Sequence, residues 1–506
     1  MAPLLVAVTG STTPSAVAGF PKASVALNVT NRYAFRDLSH LSWVWELTSD
    51  RSEKPIRSTS FQLADKDGSE GLILKLDSAI TRVQELEVTR PERGNQYFLN
   101  IRGFLQQDET WAEKNTCLVT QQFPIKFVFE ELVQRNLERP LERKASFQLE
   151  VSEDVSTVQV FRGGDGATEP LVVFDKHSGG ITSFSPQGAN LLTEPVLPNF
   201  TRASTDNDQG GIEMAISQFL GIDGLSHIVG VLWGYEDYSY DSHWRTTGLH
   251  QSKPPEIICR RLSVLEHKLE GTVDVVALCR AVQAKNGKEL FNVTITYTVC
   301  SDGRVRISSH LEPHSILRHI PSVPRVGMHL QLARSLFNIQ YFGRGPDENY
   351  PDRKSGCKMG VFATTPVDMA YDGYIVPGEN GSRSDCEWIT FRSGDGSGVS
   401  IVSDTDSGKN STFSCSALLH SAGELHTATH TCDLARRANG SDPIHVNVDH
   451  QLMGVGGDNS WFPVVYPEFL VKATDDFHYS LWLVPLKKDD DAAVSARHID
   501  ATESSY

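Results

Sequence analysis

In the stretch LFNVTITYTVC, residues 290–300, apolar and polar side chains alternate from Phe291 to Val299. Successive side chains of a strand point to opposite faces, so one face would carry Phe291, Val293, Ile295, Tyr297 and Val299. The same alternation in LSWVWEL, residues 41–47, would give one face Leu41, Trp43, Trp45 and Leu47. Helical periodicity is scarce, and clusters of Gly, Pro, Asn and Asp recur between such runs. We therefore predict an all-β protein of antiparallel sheets packed face to face.

A charged stretch, EELVQRNLERPLERKA, interrupts the strand patterning at residues 130–145. The block before it has the size and strand spacing of an immunoglobulin-like β-sandwich. The block after it shows no second break as clear, so we interpret it as one large β-sandwich. The predicted segments are an N-terminal extension 1–22, the immunoglobulin-like sandwich 23–135, a linker 136–145, the large sandwich 146–487 and a disordered tail 488–506.

The net charge and the cysteine content make several classes of partner and binding site unfavourable. The 506 residues carry a formal net charge of -16, which opposes the approach of nucleic acid and anionic membranes, so we expect neither as a partner. The eight cysteines include no Cys-x-x-Cys pair, so we expect buried free thiols rather than a zinc site. The N-terminus has no positive charge before Lys22, which disfavours a secretion signal and favours the cytoplasm, although Asn-x-Ser/Thr triplets favour the opposite.

Two glutamates lie on separate loop-like segments, Glu348 in GPDENYPDR and Glu379 in VPGENGSR. Paired carboxylates are what glycoside hydrolysis requires. Turn formation accounts for the same residues, because acidic and amide side chains bond loop amides and proline fixes φ. We favour the second interpretation and expect structural loops formed by Gly345, Pro346, Glu348, Asn349, Tyr350, Glu379 and Asn380.

Metal-binding patterns are weak in this sequence. TDNDQGG, residues 205–211, resembles the start of a calcium loop, but the twelfth position counted from Asp206 is Ser217 instead of the required glutamate. His426 and His430 would point the same way from a strand-like run, but no third ligand accompanies them. We therefore expect Asx turns and no metal site.

The segment DHQLMGVGGDNSWFP, residues 449–463, combines a flexible backbone with groups that suit a sugar. Its glycines permit sharp bends, while Asp458 and Asn459 offer hydrogen-bonding groups just before Trp461. A pyranose presents an apolar CH face to an aromatic ring and its hydroxyls to carboxylates or amides. The alternative is a core position for Trp461, because large aromatics dominate sandwich cores.

Six motifs together resemble the C-terminal part of glycoside hydrolase family 2 β-galactosidases, in the expected order: VTNRYAFRDLSHLSWVWEL, FTRASTDNDQGG, VPRVGMHL, YFGRGPDENYPDRKSG, VPGENGSRSD and VDHQLMGVGGDNSW. The resemblance covers nearly all of residues 23–487. It implies an immunoglobulin-like domain followed by a large supersandwich like that of galactose mutarotase. It also implies that the loop of Glu348 is not catalytic, because the family's two catalytic glutamates lie in a central (β/α)₈ barrel, for which this sequence has no alternating βα pattern.

The same resemblance implies roles for individual residues. Trp461 matches a tryptophan at the rim of the family's galactoside site, so we expect substrate contacts from Trp461, Asp458 and Asn459. We also expect substrate contacts from Asp206, Asn207 and Asp208, which resemble a stretch leading to a mobile loop near that site.

The resemblance also bears on the loop conformation and the cofactors. Ser204 stands where the family has proline, which puts the conformation of the following loop in question. We expect no catalytic residue and no cofactor on this chain, whereas Mg²⁺ and Na⁺ are implied for the complete enzyme.

The leading hypothesis is a small-chain or C-terminal part of a β-galactosidase. It would complete the site for hydrolysis of terminal β-D-galactosides such as lactose, with the barrel supplied by another chain. The expected partners are a galactoside substrate and either a barrel-containing β-galactosidase chain or further copies of this chain in a homo-oligomer. One alternative is a non-catalytic carbohydrate-binding module. An aldose epimerase is a further alternative that rests on fold resemblance alone. The last alternative is that the chain is a piece of a longer protein.

Overall fold

The computed structural model describes residues 4–7, 14–17, 20–31, 38–61, 79–87, 95–125, 148–163, 169–210, 239–269, 271–404, 412–434, 442–457 and 465–491. The predicted linker 136–145 and residues 492–506 of the predicted tail lie outside the described residues. The chain divides into two units, residues 1–139 with 359–361 and residues 140–358 with 362–506. Among the described residues, no helix has the length and apolarity needed to cross a membrane.

The first unit contains two four-stranded antiparallel sheets. One sheet is formed by β1 (Leu4–Ala7), β2 (Pro14–Val17), β3 (Phe20–Asn31) and β6 (Ala79–Glu87). The other has the order β5-β4-β7-β8 and is formed by β4 (Leu41–Ser49), β5 (Ser52–Phe61), β7 (Tyr97–Leu105) and β8 (Cys117–Ile125). The segment 1–22, treated as an extension in the sequence, contributes β1, β2 and the start of β3 to the first of these sheets.

Strand β4 has the predicted alternation. Its side chains from Leu41 to Ser49 are alternately buried and half-buried. Trp43 and Trp45 are 1% and 3% exposed, and they pack in one cluster with Leu99 and Ile101 of β7. Burying a large apolar side chain contributes roughly 1.5–3 kcal/mol to the free energy of unfolding, so this stripe holds the sheet's inner face together.

The described residues also form two nine-stranded antiparallel sheets, which belong to the second unit except for residues 359–361 of one edge strand. The first has the order β21-β24-β25-β18-β13-β12-β11-β10-β9. Its strands are β9 (Leu149–Glu153), β10 (Thr157–Arg162), β11 (Val172–Asp175), β12 (Ile181–Phe184), β13 (Leu192–Asn199), β18 (Arg325–Leu332), β21 (Arg383–Cys386), β24 (Phe413–Leu418) and β25 (Ile444–Leu452).

The second sheet of this unit has the order β14-β15-β16-β17-β26-β23-β22-β19-β20. Its strands are β14 (Glu256–His267), β15 (Thr272–Val282), β16 (Glu289–Cys300), β17 (Val305–Pro313), β19 (Asn338–Gly345), β20 (Lys358–Thr364), β22 (Trp388–Arg392), β23 (Gly398–Ser403) and β26 (Phe477–Leu486).

The core of the second unit lies between its two sheets. The stretch 290–300 falls on β16, and each of its predicted inward residues is at most 1% exposed: Phe291, Val293, Ile295, Tyr297 and Val299. They join one cluster with residues of the opposite sheet, such as Phe174 and Val446. The prediction of an all-β fold with antiparallel sheets packed face to face is therefore confirmed.

Helices are short and lie in the connections. The described α-helices are Asp206–Gln209, Tyr240–Thr247, Pro366–Met369 and Ala422–Thr427, and the 3₁₀ turns are Ser315–His319, Thr431–Asp433 and Pro467–Phe469.

The strand predicted around His426 is wrong, because His426 lies in the helix Ala422–Thr427. Ser421 accepts a hydrogen bond from the Glu424 amide, and the Glu424 carboxylate accepts one from the Ser421 amide. This capping box fixes the start of the helix, and its Ser-x-x-Glu pattern is visible in the sequence.

Candidate functional site

Loops of the second unit meet around a cavity of about 190 Å³. Its lining residues are Thr205, Asp206, Asn207, Tyr350, Arg353, Tyr374, Val376, Gly378, Glu379 and Val455. The loop after β13, the two loops that hold the glutamates and the end of β25 therefore reach one place. Polar and aromatic side chains face the same small space, which is the composition of a site for a polar small molecule.

Glu348 lies beside this cavity and its carboxylate is bonded within the protein. It accepts hydrogen bonds from the Gly381 amide at 2.9 Å, from Arg353 Nη2 at 3.0 Å and from the Tyr374 hydroxyl. Its side chain is 10% exposed. Since the carboxylate joins three segments, its position favours the structural interpretation of this loop.

The amides next to the two glutamates shape the same loops. The Asn349 side chain is buried and donates to the carbonyls of Arg344 and Asp347, both at 3.0 Å. Its oxygen accepts from the Ser384 amide at 2.9 Å. Asn380 accepts from the Tyr371 amide at 3.2 Å. Both asparagines thus satisfy loop backbone groups that would otherwise be buried without partners.

Glu379 belongs to a buried cluster with Arg325 and Asp449. Glu379 accepts a hydrogen bond from Arg325 Nη2, and Asp449 Oδ1 lies 3.7 Å from Arg325 Nε. Burial raises the pKa of Asp449 to about 7, although the charge of Arg325 opposes this shift. Burial alone would lower the pKa of the Arg325 guanidinium. The negative charges of Asp449 and Glu379 have the larger effect and raise this pKa. The cluster is therefore a compact charge centre behind the cavity wall.

Arg202 holds the glycine-rich segment at the end of β25. Its guanidinium is fully buried and donates to the Met453 carbonyl at 2.6 Å and to the Gly454 carbonyl at 3.0 Å. Asp208 pairs with the same guanidinium and is 1% exposed. The carboxylate of Asp208 therefore supports the loop from inside and does not face the cavity.

Two further side chains fix the next residues of this segment. Asp352 accepts from the amides of Val455 at 3.1 Å and Gly456 at 2.8 Å. Asn207 donates to the Val455 carbonyl at 2.8 Å. Gly457 has a φ of 103°, a left-handed conformation that favours glycine. Side-chain hydrogen bonds thus hold both the carbonyls and the amides of the segment up to Gly456.

The remaining predicted contacts have different positions. Asp206 lines the cavity, and burial raises its pKa. Asp458, Asn459 and Trp461 follow directly after the anchored segment but lie outside the described residues. Of the predicted substrate-binding residues, the structure brings Asp206 and Asn207 to the cavity.

Ser204, at the position where the sequence departs from the family pattern, has a hydroxyl that a proline would lack. It donates to Asp241, on the helix Tyr240–Thr247. Asp241 also accepts from Arg245 Nε at 2.6 Å and pairs with His250 Nε2 at 2.9 Å. Burial opposes its charge, but hydrogen bonds from His250, Ser204 and Arg245 hold the pKa of Asp241 below its usual range. The serine thus links the loop to the helix.

Sequence reasoning missed the supporting charges of this site. Arg202, Asp352, Arg325 and Asp449 were not singled out, although all four lie in or beside motifs that carry the family resemblance. A usable signal existed for Arg325 and Asp449, because each is a charged residue within a strand whose other residues are mostly buried.

Family models match both units of the chain. The model described as β-galactosidase small chain matches residues 167–483, and the one described as β-galactosidase domain 4 matches residues 27–126. The chain belongs to the β-galactosidase small-chain family. This confirms the resemblance found in the motifs.

Curated relatives named β-galactosidase agree with this membership. One from Pseudoalteromonas haloplanktis is 26% identical over 90% of this chain and 38% of its own length. Another, from Priestia megaterium, is 26% identical over 90% of this chain and 37% of its own length. The chain therefore spans under two fifths of these relatives. Among solved structures, an aldose epimerase homologue from C. elegans is 8% identical to this chain. The match covers 67% of this chain and 98% of the homologue, with a TM-score of 0.31.

Mg²⁺ and Na⁺, which the resemblance implies for the complete enzyme, are hard cations that take oxygen ligands. Among the described residues, the group of His, Cys, Asp or Glu side chains close enough to hold a metal ion is His310, Asp476 and His478. Two imidazoles in such a group suit a transition metal better than Mg²⁺ or Na⁺.

Proposed function

We propose that this chain completes the galactoside site of a β-galactosidase whose catalytic barrel lies outside these 506 residues. A separate, barrel-containing β-galactosidase chain would supply the barrel. The proposed reaction is hydrolysis of terminal β-D-galactosides such as lactose. Membership in the small-chain family supports this, as do relatives named β-galactosidase of which the chain covers 38%.

The observation that carries the proposal is the anchoring of residues 453–456. Arg202 and Asn207 bond the carbonyls of Met453, Gly454 and Val455, and Asp352 bonds the amides of Val455 and Gly456. The segment that precedes Asp458, Asn459 and Trp461 in the chain is therefore fixed beside the cavity. Trp461 would then present its ring to the apolar face of a galactose, and Asp458 and Asn459 would receive its hydroxyls.

The reaction would be a retaining hydrolysis, with two glutamates of the barrel as acid/base and nucleophile. The residues of this chain would bind the sugar, orient it and exclude water from one side of the site. Glu348 and Glu379 take no part in this chemistry, because their carboxylates are bonded to Arg353 and Arg325. Mg²⁺ and Na⁺ would bind to the barrel-containing part.

A cytoplasmic location is part of the proposal. All eight cysteines are free thiols, which accords with a reducing compartment. Fractionation of source cells, followed by immunodetection of the chain, tests this location.

Complementation tests the proposed function. The pure chain should hydrolyse no nitrophenyl β-galactoside, and mixing it with a β-galactosidase segment that contains the barrel but lacks these terminal domains should produce activity. Trp461→Ala should lower kcat/KM of the mixture by about 5- to 30-fold, since loss of an aromatic contact with a buried sugar costs about 1–2 kcal/mol. The control is Glu348→Gln, which changes a glutamate that we assign a structural role. The folded, complemented enzyme with this substitution should have the same kcat as the wild type. Hydrolysis by the chain alone, lost in Glu348→Gln, would overturn the proposal.

A further inference from the structure

Two histidines face each other across the neighbouring strands β17 and β26. His310 and His478 are direct partners in the register of this antiparallel pair. Their rings are stacked, with centroids 4.1 Å apart and an interplanar angle of 15°. Asp476 comes two residues before His478, and its Oδ2 lies 3.4 Å from His310 Nε2. Two imidazoles and one carboxylate therefore meet on the outer face of the sheet.

The donor atoms of these three side chains are close enough to share an ion. They all lie within 4.8 Å of one another. In a tetrahedral zinc site with bonds of about 2.0–2.2 Å, neighbouring ligand atoms are roughly 3.3–3.6 Å apart. A metal ion lies in the plane of each imidazole that binds it, so the two stacked rings must rotate to share an ion. The side chains of His310 and Asp476 are 38% and 49% exposed, which leaves room for this rotation.

We propose that His310, Asp476 and His478 bind one divalent transition-metal ion, such as Zn²⁺. Two imidazole nitrogens and a carboxylate oxygen are a common ligand set for zinc, with water in the fourth position. The pair of imidazoles selects against Mg²⁺, which takes oxygen ligands in octahedral geometry. This site is independent of the proposed galactoside function.

The three proposed ligands come from two distant parts of the chain. Sequence reasoning expected no metal because the ligands are distant in the chain: 166 positions separate His310 from Asp476. The antiparallel pairing of the two strands brings them together.

Calorimetric titration of the full chain with ZnCl₂ tests this proposal. The protein is purified without a histidine tag, treated with EDTA and dialysed. We expect one saturable Zn²⁺ site that excess MgCl₂ does not displace. His478→Gln and, separately, His310→Gln should weaken it by about tenfold or more, since even residues behind a ligand change metal affinity by 10–100-fold. Asp476→Asn should also weaken it.

His267→Gln is the matched control. His267 Nε2 lies 3.1 Å from Asp274 Oδ2, in a half-buried pair without the second imidazole. This variant should bind Zn²⁺ like the wild type. Thermal unfolding in EDTA checks that each variant is folded. If one ligand variant does not fold, the titrations of the other two ligand variants test the proposal. An unchanged titration in the folded ligand variants, or an equal loss in His267→Gln, would overturn the proposal.

Discussion

Arg202 and Asp208 form a buried ion pair in which Nε donates to Oδ2 at 3.1 Å and Nη2 donates to Oδ1 at 2.6 Å. The same guanidinium donates to the carbonyls of Met453 and Gly454. One pair of side chains therefore holds both the loop after β13 and the segment that leads to Trp461. The geometry of the proposed sugar site depends on this support, although neither charge faces the cavity.

Asp208→Ala should destabilise the protein strongly. The substitution leaves the Arg202 charge buried without its partner, and breaking a buried ion pair in this way costs about 3–5 kcal/mol in free energy of unfolding. Urea denaturation followed by fluorescence measures the loss. The control is Glu153→Ala, which removes an exposed partner of Lys176 and should cost under about 1 kcal/mol. Equal losses in the two variants would contradict a special role for the buried pair.

Asp352→Asn should impair galactoside binding more than stability. The amides of Val455 and Gly456 lose their charged acceptor, so the segment before Trp461 becomes less well positioned. In the complemented enzyme we expect KM for a galactoside to rise by about tenfold, because small misplacements of binding groups cost up to about 100-fold. Asp347→Asn changes an exposed carboxylate of the same loop and should leave KM unchanged. A normal KM in Asp352→Asn would show that this anchor is dispensable.

Asp449 should make stability depend on pH. Its pKa is about 7 in the folded chain, against about 3.9 for an unfolded aspartate. Between about pH 4 and pH 7 the folded state binds more protons at this site than the unfolded state does. Asp449 therefore makes its full contribution to the free energy of unfolding below about pH 4, and this contribution is lost as the pH rises through 7. Asp449→Asn removes this dependence.

The measurement is urea unfolding of Asp449→Asn and wild type from pH 4 to 8. The difference in free energy of unfolding should shift in favour of the variant by up to about 1.4 kcal/mol per pH unit until pH 7, and then level off. Asp372→Asn, at an exposed carboxylate, should show no such shift. A difference that stays constant with pH would show that Asp449 is ionised throughout.

Ser204→Ala should weaken the link between the loop and the helix Tyr240–Thr247. Buried Asp241 loses one of its hydrogen bonds and keeps those with Arg245 and His250. The expected loss is about 1–3 kcal/mol in free energy of unfolding, which thermal denaturation detects as a lower Tm. Ser355→Ala, at an exposed position, is the control. A Tm equal to that of the wild type would mean that the hydroxyl is not needed here.

The sequence predicts the sheets of this protein well because strand burial is a local pattern. The alternation in β4 and β16 is visible in the sequence, apart from Val44 and Leu290, and reappears as the inward faces of two sheets. The helix at His426 shows the limit, since a short helix has too few turns for a periodic signal and only its capping box marks it.

The site is harder to predict because its contacts join distant parts of the chain. Arg202 reaches Met453 across 251 positions, and Arg325 reaches Glu379 across 54. No local pattern specifies such pairs. The motifs around them indicate where the site lies, but only the packing of the sheets shows which charges support it.

The central claim is that this chain works together with a barrel, and isolation of the native protein tests it most directly. Gentle purification from the source, with intact mass, co-purifying chains and β-galactosidase activity determined on the same fraction, gives the answer. We predict activity in a fraction that contains a larger chain or a tightly bound second chain with a barrel. A lone chain of 55.9 kDa without activity would contradict this account.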